Sequence, residues 1–295
     1  MKSRNPIIVI AGPTASGKSD IAIDLAKRIN GFVINADSRQ IYKGMVIGTA
    51  QPVPERIQGN AWVIKGVKHF LYGYKTPEET SNIATYQKAV QEIFDKEAGI
   101  PILVGGTGLY IDCIVNNYKL REESVDNEIR EKLSKLDTKH LQKLLDTNIL
   151  NTMNESDRGN PRRLMRMIEK KDKDKLSGEP LRNIYFVMDV PKEELTQRIK
   201  TRVDLMFKNG LEKEVENLFK KYNPVLTAFN TIGYQEFREY FKNQKSITAV
   251  KEEIVLHTLQ YAKRQRTWFR RNKNAIWIED KEDIFQQAEQ FVTMS

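Results

Sequence analysis

Hydrophobic residues first form an unbroken run, Ile7-Ile8-Val9-Ile10, and then take helical spacing at Ile21, Ala22, Leu25, Ala26 and Ile29. The run predicts a strand buried on both faces and the spaced set a helix with one apolar face, joined by a glycine-rich turn and closed at Gly31. Phe32-Val33-Ile34 and Ile102-Leu103-Val104 are two further apolar runs, each passing at its carboxyl end into polar or glycine-rich residues. Short apolar strands alternating with helices predict an α/β fold, a parallel sheet covered on both faces. Ligands of such sheets gather beyond the carboxyl ends of the strands.

The pattern changes over residues 116–181, where apolar positions are sparse and helically spaced and Lys170 to Lys175 is almost wholly charged. A small, polar helical domain is expected there. Ile184 to Val190 reads as a returning strand, which makes the helical segment an insertion between 1–115 and 182–295 of one core domain. Farther on, Ile199, Val203, Met206, Val215, Leu218 and Phe219 fit one face of a long helix interrupted at Gly210. A helix from about Lys251 to Arg271 and a strand at Ala275-Ile276-Trp277-Ile278 complete the plan. No repeat of 20–50 residues is visible, which sets aside solenoids and propellers.

Three blocks at predicted strand ends carry candidate chemistry. Gly12-Pro13-Thr14-Ala15-Ser16-Gly17-Lys18-Ser19 is a full phosphate loop between a strand and a helix. Its backbone N–H groups can turn toward phosphate oxygens, Lys18 adds a point charge and Ser19 offers a hydroxyl to Mg²⁺. The second strand ends in Asn35-Ala36-Asp37-Ser38-Arg39-Gln40, which puts a carboxylate beside the phosphate loop if the two strands are neighbours. Asp37 could bind Mg²⁺ or accept a proton; a helix-capping or surface Asp is the plain alternative. The third strand runs into Gly105-Gly106-Thr107-Gly108-Leu109-Tyr110, where glycines allow close backbone approach and Thr107 is the polar group presented; a plain strand-to-helix turn is the alternative.

Composition narrows the class. Of 295 residues, 40% are hydrophobic and 29% charged, with 16 glycines and 10 prolines, which excludes collagen-like and intrinsically disordered chains. The net charge of +9 favours an anionic partner. Its clearest concentration is the segment from His257 to Ile278, which holds no acidic residue but Lys263, Arg264, Arg266, Arg270, Arg271 and Lys273, interleaved with Gln260, Tyr261, Trp268 and Phe269. Phosphate contacts with stacking groups suit RNA, and a solvated helix face is the plain alternative. Arg158, Arg162, Arg163 and Arg166 form a second cluster beside a helix entry at Asn160-Pro161, with spacings that would share one face. The single Cys113 leaves no internal disulfide and no multi-cysteine zinc site, which fits a reducing compartment. His69, His140 and His257 lack ligand spacing. No stretch approaches the ~20 apolar residues that span a bilayer, and the apolar run after Lys2 and Arg4 is short for a signal peptide. A cytoplasmic monomer without membrane contact is expected.

Taken together and in order, the blocks at 12–19, 35–40 with Ile47-Gly48-Thr49-Ala50, 105–110, Asn160-Pro161-Arg162-Arg163, Arg202-Val203-Asp204, Gly210-Leu211-Glu212-Lys213-Glu214-Val215, Ile232-Gly233-Tyr234-Gln235-Glu236, Tyr261-Ala262-Lys263-Arg264-Gln265 and Thr267-Trp268-Phe269 resemble the bacterial tRNA dimethylallyltransferase (tRNA isopentenyltransferase) family over nearly the whole chain. The resemblance implies a P-loop NTPase-like core and transfer of a dimethylallyl group from dimethylallyl diphosphate to the exocyclic amine of the adenosine just 3′ of the anticodon, with Mg²⁺ as cofactor. Residues 12–19 would hold the diphosphate rather than ATP, Asp37 would accept the amine proton, and Lys18 and Mg²⁺ at Ser19 would stabilise the leaving group. Thr107 would help to hold the target nucleotide. By the same resemblance Asp37, Ser38, Arg39, Gln40, Arg130, Arg162, Arg163, Leu164, Met165, Arg166 and the stretch Leu259 to Arg264, including Gln260 and Lys263, touch tRNA. Two positions depart from the family pattern: Leu259 replaces an expected arginine, and Arg39 stands where many relatives carry a small or apolar residue. A small-molecule P-loop kinase, a prenyltransferase for free adenine nucleotides and a nucleotide-dependent RNA-binding regulator are the competing readings.

Overall fold

A computed structural model describes residues 6–120, 127–169 and 178–294. The chain forms two compact units, Met1–Tyr118 with Gly178–Ser295, and Lys119–Ser177. The first contains a sheet of β1 (Ile7–Ala11), β2 (Gly31–Asn35), β3 (Arg56–Gln58), β4 (Ala61–Ile64), β5 (Val67–Phe70), β6 (Ile100–Gly105), β7 (Asn183–Met188) and β8 (Ile276–Ile278). Their order across the sheet is β3-β4-β5-β2-β6-β1-β7-β8. β3, β4 and β5 form an antiparallel meander, while β5-β2, β2-β6, β6-β1, β1-β7 and β7-β8 pair in parallel.

In chain order the helices are α1 (Lys18–Arg28), α2 (Ile83–Lys96), α3 (Gly108–Val115), then α4 (Asn127–Ser134), α5 (Thr138–Lys143), α6 (Thr147–Thr152), α7 (Glu155–Arg158) and α8 (Pro161–Glu169) of the second unit. The first unit resumes with α9 (Lys192–Lys208), α10 (Leu211–Lys221), α11 (Phe237–Tyr240), α12 (Ile247–Phe269) and α13 (Lys281–Thr293).

The unbroken apolar run of β1 is explained by its two buried faces. Ile7, Val9 and Ala11 pack with Tyr86, Ile93, Ile111 and Phe269, whereas Ile8 and Ile10 pack with Ala22, Leu25, Ile284 and Phe285. So α2, α3 and the end of α12 cover one face, and α1 and α13 the other. A third apolar cluster joins α9 to α12 through Val203, Val215, Tyr234, Phe237 and Ile254. The expected stop at Gly31 is displaced by one residue: Asn30 takes the left-handed conformation (φ 51) and Gly31 already belongs to β2. Asparagine tolerates that region because its short polar side chain bonds locally.

The second unit encloses its own small core of Leu133, Leu141, Leu145, Met153 and Leu164. Its boundaries lie a few residues inside the expected 116–181. The chain leaves and re-enters the first unit side by side, with the Gly178 N–H donating to the Asn117 carbonyl (3.0 Å) and the Leu181 N–H to the Val115 carbonyl (2.8 Å). The charged run Lys170 to Lys175 falls outside the described residues.

Candidate functional site

The three chemical blocks all follow parallel strands, at the carboxyl ends of β1, β2 and β6. β1 and β2 are not neighbours, because β6 lies between them. That puts the Asp37 backbone two strand spacings, about 10 Å, from the phosphate loop. Side chains close the gap: Asp37 and Lys18 line the same cavity of about 300 Å³, and Asp37 acts electrostatically on the Lys18 ammonium.

In the phosphate loop Ala15 holds a positive φ of 63°, an uncommon state for a residue with a Cβ. Lys18 Nζ donates to the Pro13 carbonyl (2.6 Å) and contacts the Ser16 hydroxyl (3.3 Å). Burial pushes its ammonium down to about 7; Asp37 partly restores it and Arg202 lowers it further. A second cation therefore stands at the loop. Arg202, from α9, donates to the Thr14 hydroxyl (3.3 Å) and to the Thr49 carbonyl (3.4 Å), and burial lowers its pKa as well. Two desolvated cations facing one loop is an arrangement that an anion of several charges relieves.

Gln265 of α12 ties this loop to the third block. Its Oε1 accepts the Thr14 N–H (2.9 Å) and its Nε2 donates to the Gly106 carbonyl (2.9 Å). A Cβ on Gly106 would come within 2.0 Å of that Nε2, so glycine is required for the bridge to form. Thr107 faces the second block: the Ser38 N–H donates to its Oγ1 (3.0 Å), and that hydroxyl bonds the Ser38 hydroxyl (3.3 Å). Tyr261 lies close to Thr107, its phenol pushed up to about 12 by burial and by Asp37.

Asp37 is held as an acceptor in a tight turn. Its Oδ1 accepts the Arg39 N–H (2.9 Å), while buried Asn35 bridges the Asp37 N–H (3.0 Å) and the Leu71 carbonyl (3.0 Å). The helix-capping alternative does not apply, since no helix begins there. A second cavity, about 350 Å³, shares Thr14, Asp37, Thr49 and Arg202 with the first and continues to an apolar wall of Ile199, Val203, Met206, Ile232 and Ile254. Arg39 and Arg264 also line it. Gln40 lines the smaller cavity, with Nε2 bound to the Thr49 and Ala50 carbonyls (2.9 and 3.0 Å).

The acid-free segment divides into an outward and an inward set. Gln260, Lys263, Arg264, Arg270, Arg271 and Lys273 are exposed. Arg266 is instead ion-paired with Asp189 and bonds the Val190 carbonyl, and Phe269 is 1% exposed in the sheet core. Trp268 is half-buried, its indole N–H donating to Asp112 (2.9 Å). These three residues are structural, because α12 must bury one face against the sheet. Leu259 is half-buried and packs against the apolar cluster of Leu195 and Ile199.

In the second unit Arg162, Arg163, Arg166 and Arg130 are exposed. Arg163 is paired with Asp157 and Arg130 with Glu169 (3.4 Å). Two expectations fail there. Arg158 lies in α7 and bonds the Met153 and Asn151 carbonyls, so it does not share the face of α8. Leu164 is fully buried in the unit's core and Met165 packs against it, so the Leu164 side chain is a core residue and not a surface contact. Of the histidines, His69 is buried and bonds the Val67 carbonyl, His140 pairs with Asp137, and His257 pairs with Glu236.

Arg202 and Gln265 belong to the quoted blocks without a role assigned from sequence, although a signal exists. Arg202 shares the apolar face of Ile199, Val203 and Met206, and Gln265 that of Ala262 and Phe269. A polar residue on a face otherwise destined for the interior needs a partner, and here the partners are the ligand loops.

Fold and loop together define a P-loop NTPase-like protein. The family described as IPP transferase matches residues 40–272. A tRNA dimethylallyltransferase of Gloeothece citriformis is 36% identical over 94% of this chain and 92% of its own length, and one of Acetivibrio thermocellus is 36% identical over 97% and 95%. Among solved structures, the tRNA isopentenylpyrophosphate transferase of Bacillus halodurans superposes with a TM-score of 0.73 at 28% identity, covering 98% of this chain and 97% of its own. A eukaryotic dimethylallyltransferase acting on tRNA gives 0.73 at 27%, covering 90% and 69%. The chain belongs to the IPP transferase family and is a prenyl-transferring enzyme.

Proposed function

We propose that this enzyme moves the dimethylallyl group of dimethylallyl diphosphate onto the exocyclic amine of the tRNA adenosine just 3′ of the anticodon. The observation that carries this reading is the position of Asp37, on the wall common to the phosphate-loop cavity and the larger apolar-walled one. The amine nitrogen attacks the first carbon of the allyl group, the bond from that carbon to the diphosphate oxygen breaks, and Asp37 takes the amine proton. An adenine amine is a weak nucleophile, its lone pair delocalised into the ring, so a positioned base matters. The departing diphosphate meets Lys18, Arg202 and the loop amides, which are in place before charge develops. Tyr261, on the wall of the larger cavity, and Thr107 would hold the base, which leaves the anticodon stack at a cost of a few kcal/mol.

Mg²⁺ fits this loop. Ser19 lines the smaller cavity with Lys18, and the ion would take the Ser19 hydroxyl together with diphosphate and water oxygens. Bound there it would supply further positive charge to the leaving group.

Incubation with dimethylallyl diphosphate and unmodified tRNA is expected to add one prenyl mass to one anticodon-loop adenosine, read by mass spectrometry of the nuclease digest. No added mass with several tRNAs refutes the reading.

Charge explains two further expectations. The lowered Lys18 pKa rises when an anion binds beside it, so diphosphate binding takes up a proton. Affinity for pyrophosphate should be full below about pH 7 and fall as pH rises above it. Calorimetry at pH 8 in buffers of different ionisation enthalpy should show this uptake in the native enzyme and its loss in Lys18→Met. Separately, the exposed Lys263, Arg264, Arg270, Arg271 and Lys273 would contact tRNA phosphates. If all five do, they contribute about 4 to the slope of log affinity against log salt. Arg266→Gln, which breaks an internal ion pair, should lower stability and leave that slope unchanged.

A further inference from the structure

We infer that Glu214 is a positioning residue for this reaction, fixing the 46–49 loop so that the Thr49 carbonyl holds Arg202 against the phosphate loop. The inference rests on the prenyl-transfer reading above.

Glu214 comes from α10, not from any strand end. Its Oε2 accepts the N–H groups of Val46 (3.0 Å) and Ile47 (2.8 Å), and its Oε1 accepts that of Gly48 (3.1 Å) and the Tyr234 hydroxyl (2.7 Å). Three successive amides turned toward one point form a concave anion site. Here a side-chain carboxylate fills it. Tyr234 is fully buried and closes the other side: a Cβ on Gly48 would lie 2.5 Å from its ring. The next residue, Thr49, is thereby fixed in place and bonds back to the Met45 carbonyl through its hydroxyl. The Thr49 carbonyl is free to face outward, where it accepts from Arg202 (3.4 Å) and Gln40 (2.9 Å).

Among the described residues, the other hydrogen bond of Arg202 is to the Thr14 hydroxyl, itself part of the ligand loop, and Asp37 attracts its charge. Without a fixed Thr49 carbonyl, a long side chain recovers its rotamer freedom, and misplacement by about 1 Å is enough to cost on the order of 10²-fold in rate. The path from α10 to the leaving group is thus short: carboxylate, amides, carbonyl, guanidinium.

Glu214→Gln keeps the size of the side chain but turns an N–H₂ group toward N–H donors. It is expected to lower turnover about 10- to 100-fold and to weaken pyrophosphate binding, with the protein folded at the assay temperature by circular dichroism. The decisive measurement is the cycle with Arg202→Ala. If Glu214 acts through Arg202, Glu214→Gln should cost less than about 3-fold in the Arg202→Ala background. Losses that multiply in the double variant overturn the inference. Should Glu214→Gln prove unfolded, Tyr234→Phe, which keeps the ring and removes one of the four bonds, enters the same cycle, with a smaller loss that again vanishes in Arg202→Ala. Native enzyme that transfers no prenyl group refutes the activity; native transfer with a multiplicative cycle refutes only the role of Glu214.

Discussion

Asp37→Ala should leave tRNA binding largely intact and lower turnover by ~10²–10⁴, the usual range for loss of a general base. The expectation follows from where its oxygens sit. Oδ1 accepts the Arg39 amide, and Asp37 lines both the cavity that holds Lys18 and the one that holds Tyr261, with Arg202 on the wall of each. Asp37→Asn keeps the turn and removes only the basic oxygen, so it separates chemistry from loop geometry. Single-turnover rates and filter-binding affinities for both variants check the expectation, and near-native turnover in either removes Asp37 from the proton transfer.

Arg202→Ala should lower turnover by about 10²–10³, comparable with removal of one preorganised donor from a site of developing negative charge. Pyrophosphate should bind more weakly in step. The cause is electrostatic rather than packing, so Arg202→Lys, which restores a cation but not the fork, should recover only part of the loss. A second effect distinguishes this variant from a damaged core. Arg202 is one of the groups that holds the Lys18 pKa down, so in Arg202→Ala the pH above which pyrophosphate affinity falls should move upward from about 7. An unchanged pH profile would separate the two cations and contradict a common ligand.

Much of the site was legible because its parts are local in sequence. The run Ile7 to Ile10, the loop at 12–19 and the helix after it declare themselves within thirty residues. What sequence did not supply is adjacency. β6 enters between β1 and β2, so the approach of Asp37 to Lys18 depends on side-chain reach across an intervening strand, which no local pattern encodes. The meander of β3, β4 and β5 was also unread, since its strands are only three or four residues long. Its turn signal is nevertheless present: Ile64 pairs with Val67 across Lys65-Gly66, both with positive φ, the geometry of a two-residue hairpin. Charge patterning failed in a different way. Arg266 and Leu164 sit within arrays of exposed cations, but helical rotation carries each to the inside, where the first finds Asp189 and the second a small leucine-rich core.

The paired backbone bonds at Asn117/Gly178 and Val115/Leu181 make the place where the helical unit departs resemble a hairpin base, already closed without the residues beyond it. Closure entropy grows only with the logarithm of loop length, so such a base tolerates large changes in what it carries. The catalytic core is in that sense a complete host: replacing residues 119–177 with a short turn should preserve its fold and its pyrophosphate site. The insertion can therefore diverge in length and sequence while the core stays fixed.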